Sequence, residues 1–92
     1  MNPGAKDSML ARLKTIEGHI RGIARMLEEG SYCIDIITQT LAIQRAIHKL
    51  NREILENHLQ TCVVKAMQSR NHDDRERVIK ELLDVFEASA KI

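Results

Sequence analysis

The stretch with the clearest chemical potential is His58-Leu59-Gln60-Thr61-Cys62. On an α-helix, residues four apart lie one turn above the other, with Cβ atoms roughly 5–6 Å apart. An imidazole nitrogen and a thiolate so placed can face one soft metal ion. A pair is half a site, and the only other cysteine is Cys33, 25 residues before His58. If the helix runs unbroken between them, a rise of ~1.5 Å per residue puts Cys33 about 37 Å from His58. A site using all three must then take Cys33 from one chain and His58 and Cys62 from an antiparallel partner subunit. Two thiolates and one imidazole suit Cu(I) or Zn(II), and three ligands without an obvious fourth favour low-coordinate Cu(I). Cys33 opens the long helix, and the positive end of a helix favours the thiolate form that ligates metal. Spacing alone still leaves the bland reading ahead. A lone His-x3-Cys is mostly accidental, and a buried Cys is commonly just a small hydrophobe. His19, His48 and His72 have no Cys or His at ligand spacing and read as surface or rim residues.

The elements that must position these side chains are helices. Gly4, Gly18, Gly22, Gly30 and Pro3 are the only Gly and Pro residues, and no segment alternates apolar and polar residues as a strand would. The pattern predicts an all-α, three-helix protomer with one long central helix, in a single domain spanning residues 1–92. Asp7 or Ser8 can cap a first helix over about 7–29. Its apolar seam is Leu13, Ile16, Ile20, Ile23 and Leu27, at 3-4-3-4 spacing. Gly18 and Gly22 lie within it, at roughly 1 kcal/mol of helix propensity each. They mark either simple helix–helix packing, the commoner case, or a flat patch where another backbone or DNA comes close. Gly30 ends the helix in the left-handed conformation.

Ser31 caps a second helix over about 31–69, well beyond the usual globular length. Ile36, Ile43, Ile47, Leu50 and Ile54 occupy one broad side, widened by Ile34, Ile37, Leu41, Leu55 and Leu59. A helix apolar over so wide an arc needs neighbours on more than one side. The other two helices supply too few, so the chain is expected to oligomerise as a bundle. A last helix over about 73–89 opens on Asp73 and Glu76, which have the form of a capping box.

Bulk composition narrows the partners. Ninety-two residues with a net charge of +1 offer no global electrostatic case for nucleic acid. The distribution is uneven: residues 1–70 carry 10 Lys/Arg against 7 Asp/Glu, and residues 71–92 carry 4 against 6. Tyr32 and Phe86 are the only aromatic residues, which leaves no stacking platform for single strands. Arg45, Lys49 and Arg52 recur at i, i+4, i+7 as a basic stripe, and Arg12, Arg21 and Arg25 lie on the first helix. From sequence physics alone that stripe is a solvated face. The polar opening residues and the lack of a long apolar run predict a cytoplasmic protein without a membrane partner. An enzyme is the weakest reading, since the Cys-His pairing lacks an orienting third group and an oxyanion donor.

The residues also match a known pattern. Arg12-Leu13-Lys14, Gly18-His19, Gly22-Ile23, Arg25-Met26-Leu27, Tyr32-Cys33-Ile34-Asp35, Ala42-Ile43-Gln44, Asn51-Arg52 and HLQTC at 58–62 are combined over about residues 9–87. In this combination the chain resembles the copper-sensing repressor (CsoR) family. The resemblance implies a dimer of dimers that binds double-stranded operator DNA when metal-free and is released by Cu(I), derepressing copper efflux or resistance genes. It implies an intersubunit Cu(I) site of Cys33 from one chain with His58 and Cys62 from the partner subunit, in agreement with the reach argument. Tyr32 and Glu81 match the family's hydrogen-bonding residues around the ligands, Glu81 after a short insertion in the turn near 70–75. Arg12 and Arg52 match residues implicated in operator binding, which turns the reading of the basic face, with Lys49 and Arg45, from solvated to functional. Nickel- and cobalt-sensing relatives add an N-terminal His, persulfide sensors lack the ligand His, and formaldehyde sensors lack the second Cys. The Cys-His-Cys set therefore implies copper. Two other classes remain: a thiol- or persulfide-responsive repressor on the same fold, and a copper-buffering helical bundle without DNA binding.

Overall fold

A computed structural model of the protein describes residues 3–90. Residues 1, 2, 91 and 92, the ends of the expected 1–92 domain, lie outside the described residues. The elements are α1 (Pro3–Glu28), α2 (Cys33–His58), a π-helical turn (Leu59–Val63), α3 (Val64–Gln68) and α4 (His72–Ala90), with no strand among the described residues. The described residues form two compact units, divided between Asn57 and His58.

In the first unit, α1 starts at Pro3, earlier than a cap at Asp7 or Ser8 would give. Proline suits a first helical position because its missing N–H would have no intrahelical partner there. The helix ends at Glu28, and Gly30 just beyond it takes φ +70 as expected. The Ser31 N–H donates to the Met26 carbonyl at 2.9 Å and the Gly30 N–H to the Leu27 carbonyl at 3.2 Å. Those two bonds define a Schellman stop. Ser31 is thus part of the stop, not the cap of the next helix. The Tyr32 carbonyl takes the N–H groups of Asp35 and Ile36 at 3.0 and 3.2 Å, so α2 begins at Cys33.

The α1–α2 hairpin is antiparallel, and its core is Met9, Ile16, Ile43 and Leu50, flanked by Ala5, Ile23 and Ala46. The buried line on α1 therefore runs Met9–Ile16–Ile23, seven residues apart. Three of the five expected seam residues point away from this core, with Leu13, Ile20 and Leu27 46%, 51% and 63% exposed. On α2, Ile43 and Leu50 are buried as expected, whereas Ile47 and Ile54 are exposed. One neighbouring helix covers one heptad stripe, and the second stripe of each helix remains open.

In the second unit, the backbone stays right-handed helical from His58 to Val64. The Val64 N–H reaches the Leu59 carbonyl five residues back and is shared with that of Thr61. The long helix expected over 31–69 is thus interrupted in its hydrogen-bond register, without Gly or Pro, at the residues that include Cys62. Val63 and Val78 are the buried residues here, and α3 packs on α4. Asn71, not Asp73, caps α4, because its Oδ1 accepts the Asp73 N–H at 2.9 Å. The Ser69 hydroxyl steadies the turn, accepting the Asn71 N–H at 3.1 Å and donating to Asp74 Oδ2 at 3.3 Å. No described helix is long and apolar enough to cross a membrane.

Among the described residues Gly18 and Gly22 mediate no packing: a Cβ added at either meets no atom of another segment within 4 Å. Gly18→Ala should therefore recover helix propensity and stabilise the protein by about 0.5–1 kcal/mol, read as a rise in thermal midpoint. A fall would mean that another molecule's backbone approaches α1 at this point.

Candidate metal centre and basic face

Cys33 is the first residue of α2 and belongs to the first unit; His58 closes α2 at the start of the second unit. Cys62 lies inside the π turn. Both thiols are free and exposed, and the His58 side chain is half-buried. His58 and Cys62 thus flank and occupy a turn whose backbone is wider than an ordinary helix, a feature that recurs at functional sites. Among the described residues, no group of three or more His, Cys, Asp or Glu side chains comes together to hold a metal. The donor chemistry fits Cu(I) nonetheless: two accessible thiols and an imidazole with no hydrogen-bond partner among the described residues are soft, uncommitted ligands.

Thr61 was not singled out by sequence. Its hydroxyl donates to Cys62 Sγ at 3.6 Å, within the range of a hydrogen bond to sulfur. The signal available was its place beside the cysteine. Of the residues expected to support the ligands, Tyr32 is 68% exposed. Glu81 Oε1 lies 4.0 Å from Arg77 Nε on its own helix, not on His58. An exposed pair at that distance is worth ~0.3–0.5 kcal/mol, so this carboxylate is readily withdrawn to another donor.

The basic residues divide by what they touch. Arg45, Lys49 and Arg52 are exposed and make no ion pair among the described residues. Arg12 Nη2 instead bonds Glu53 Oε1 at 2.8 Å, from α1 to α2. His19 is no loose rim residue: its Nε2 is 2.7 Å from Gln39 Oε1 across the same hairpin. Both links were legible only once the hairpin register was known, since they join residues on opposite sides of the Gly30 stop.

The chain resembles proteins that sense copper. In Bacillus subtilis, the copper-sensing transcriptional repressor CsoR is 44% identical over 86 residues, covering 94% of this chain and 82% of that protein. Its namesake in Mycobacterium bovis is 42% identical over 79 residues, covering 86% of this chain and 64% of its own length. The crystal structure of the copper-sensing repressor CsoR with Cu(I) from Geobacillus thermodenitrificans superposes with a TM-score of 0.88 at 37% identity, covering 98% of this chain and 91% of that one. A variant of the formaldehyde-responsive regulator FrmR from Salmonella enterica serovar Typhimurium gives 0.77 at 28% identity, covering 95% and 96%. Residues 5–88 match the family of metal-sensitive transcriptional repressors. With nearly its whole length matched, this chain belongs to the metal-sensitive transcriptional repressor family.

Proposed function

We propose that this protein is a Cu(I)-responsive transcriptional repressor, bound to operator DNA when metal-free and released by Cu(I) to derepress copper efflux or resistance genes. The observation that carries this reading is the Cys33, His58 and Cys62 donor set in a chain 44% identical to a copper-sensing repressor. It is a cytoplasmic regulator and not an enzyme, acting as a single repressor domain. The exposed apolar stripes of Leu13, Ile20 and Leu27 on α1 and of Ile47 and Ile54 on α2 support assembly of hairpins into a four-helix dimer, and of dimers into a tetramer.

In that assembly Cys33 of one protomer and His58 and Cys62 of the partner subunit hold the metal. Cu(I), when bound, supplies the soft Lewis acid that joins the two thiolates and the imidazole. A His58 ring nitrogen not used as a ligand would donate to a neighbouring hydrogen-bond partner, which would fix the ring. Glu81, whose one ion pair among the described residues is with Arg77, and the Tyr32 hydroxyl beside Cys33 in sequence are the two candidates for that partner. Engaging Glu81 displaces α4, and this displacement is the event that alters the operator-binding state. Moving a repressor from 99:1 bound to 1:99 needs ~5.5 kcal/mol of differential binding. Over four equivalent sites that is about 1.4 kcal/mol each, comparable to one hydrogen bond to a charged group.

An anaerobic Cu(I) titration against a competing chelator should give one tight Cu(I) per chain, lost in Cys62→Ala. Weak binding by both proteins would redirect attention to persulfides and other thiol chemistry, for which the two exposed thiols are suited. Glu81→Ala should keep tight Cu(I) binding while losing most of the metal-driven release of DNA; full release by this variant would remove Glu81 from the pathway. Arg52→Ala should weaken DNA binding across sequences and lower the salt slope by about one unit, and an unchanged slope would mark it as an ordinary surface charge.

A further inference from the structure

Arg12–Glu53 differs in kind from the other ion pairs. Arg21–Glu17, Arg77–Asp74, Arg77–Glu81 and His72–Glu76 each lie within one helix, at 3.5–4.0 Å and at i, i+3 or i, i+4. Among the described residues, only Arg12–Glu53 joins two helices, and it is the shortest, at 2.8 Å. Its side chains are 39% and 29% exposed, against 70% and 68% for Arg21 and Glu17. Solvent therefore screens it less than it screens the others.

Its location has a consequence for the basic face. Around α2, Glu53 falls between the buried line of Ala46 and Leu50 and the stripe of Arg45, Lys49 and Arg52, one turn after Lys49. The bond to Glu53 therefore draws the Arg12 guanidinium from α1 to the margin of that stripe. A guanidinium has five N–H donors in a planar fork, and one carboxylate engages two at most. Donors remain for a phosphate oxygen, on a side chain whose rotamer freedom is already restricted before DNA arrives.

We propose that Glu53 is a positioning residue for DNA binding: by holding Arg12 across the hairpin it extends the α2 basic stripe with a preorganised guanidinium. The proposal rests on the operator-binding reading above and adds to it an acidic residue that raises DNA affinity. Glu53 also repels phosphate by its own charge, so the single variant mixes two opposed effects. The double-mutant cycle separates them.

The test uses the full-length, metal-free protein and a labelled duplex that it selects from a random-sequence library, with binding measured over a series of salt concentrations. Arg12→Ala should weaken binding about tenfold with Glu53 present but only about twofold in a Glu53→Gln background. The salt slope should fall by about one unit for Arg12→Ala only when Glu53 is present. Glu53→Asp, which keeps the charge but withdraws the acceptor by one methylene, should behave like Glu53→Gln. Thermal melts of each variant identify any that fail to fold, and Glu53→Asp then carries the cycle in place of Glu53→Gln. Equal losses in both backgrounds would reduce Glu53 to a structural ion pair and overturn the proposal. A larger loss in the Glu53→Gln background would overturn it in the other direction, making Glu53 a competitor of phosphate. Failure of the unaltered protein to select any duplex would remove the operator reading itself, and this proposal with it.

Discussion

One turn of helix can aim two side chains at a metal, and His58 and Cys62 stand four residues apart, at the end of α2 and in the turn that follows it. No third Cys or His stands nearby in sequence, so any three-donor site built on this turn is completed from elsewhere. Much else in the molecule is consistent with that shortage. A protomer that could finish its own site and cover its own apolar surface would need no second copy. This one leaves Cys33 and Cys62 exposed and also leaves a second heptad stripe open on both helices of the hairpin. In the proposed assembly, the same association covers the stripes and completes the donor set, which ties metal sensing to quaternary structure.

The fold itself does not choose the signal. A copper-sensing repressor and a formaldehyde-responsive regulator both superpose on this chain over nearly its whole length. In this chain the His and Cys side chains with ligand chemistry stand at the ends of α2 and in the turn that follows it. Here that turn is π-helical. A shift of register without Gly or Pro alters which carbonyl each N–H meets and widens the backbone beneath Cys62. The backbone at this turn therefore departs from an ordinary α-helix with no residue type that demands it.

Helix content, the stop at Gly30 and the existence of α4 were legible in sequence because each depends on local chemistry: missing breakers, a left-handed glycine, a cluster of turn formers. The choice of cap was harder, since Ser31, Asn71 and Asp73 are all competent and backbone register decides among them. Which apolar line of α1 is buried within the protomer is hard to read for a related reason. Leu13, Ile20 and Leu27 are as apolar as Met9, Ile16 and Ile23, and only the position of α2 distinguishes the two lines. The π turn had no signature in residue type. Arg12–Glu53 and His19–Gln39 are cross-hairpin contacts, and they become readable only when the antiparallel register is in hand.

Charge explains why a contact such as Arg12–Glu53 would matter for binding DNA in the proposed reading. A chain with a net charge of +1 cannot rely on its overall field to hold a polyanion. Affinity must then come from a few cations placed where phosphates pass, and each misplaced side chain removes a large share of it. Long flexible side chains on separate helices lose rotamer freedom when they converge on one backbone, and that loss subtracts directly from affinity. A carboxylate that fixes an arginine in advance moves this loss into folding, where the partly shielded ion pair offsets it. A nearly neutral protein can therefore gain DNA affinity from an acidic residue, provided the anion acts on the arginine more strongly than it repels the phosphate.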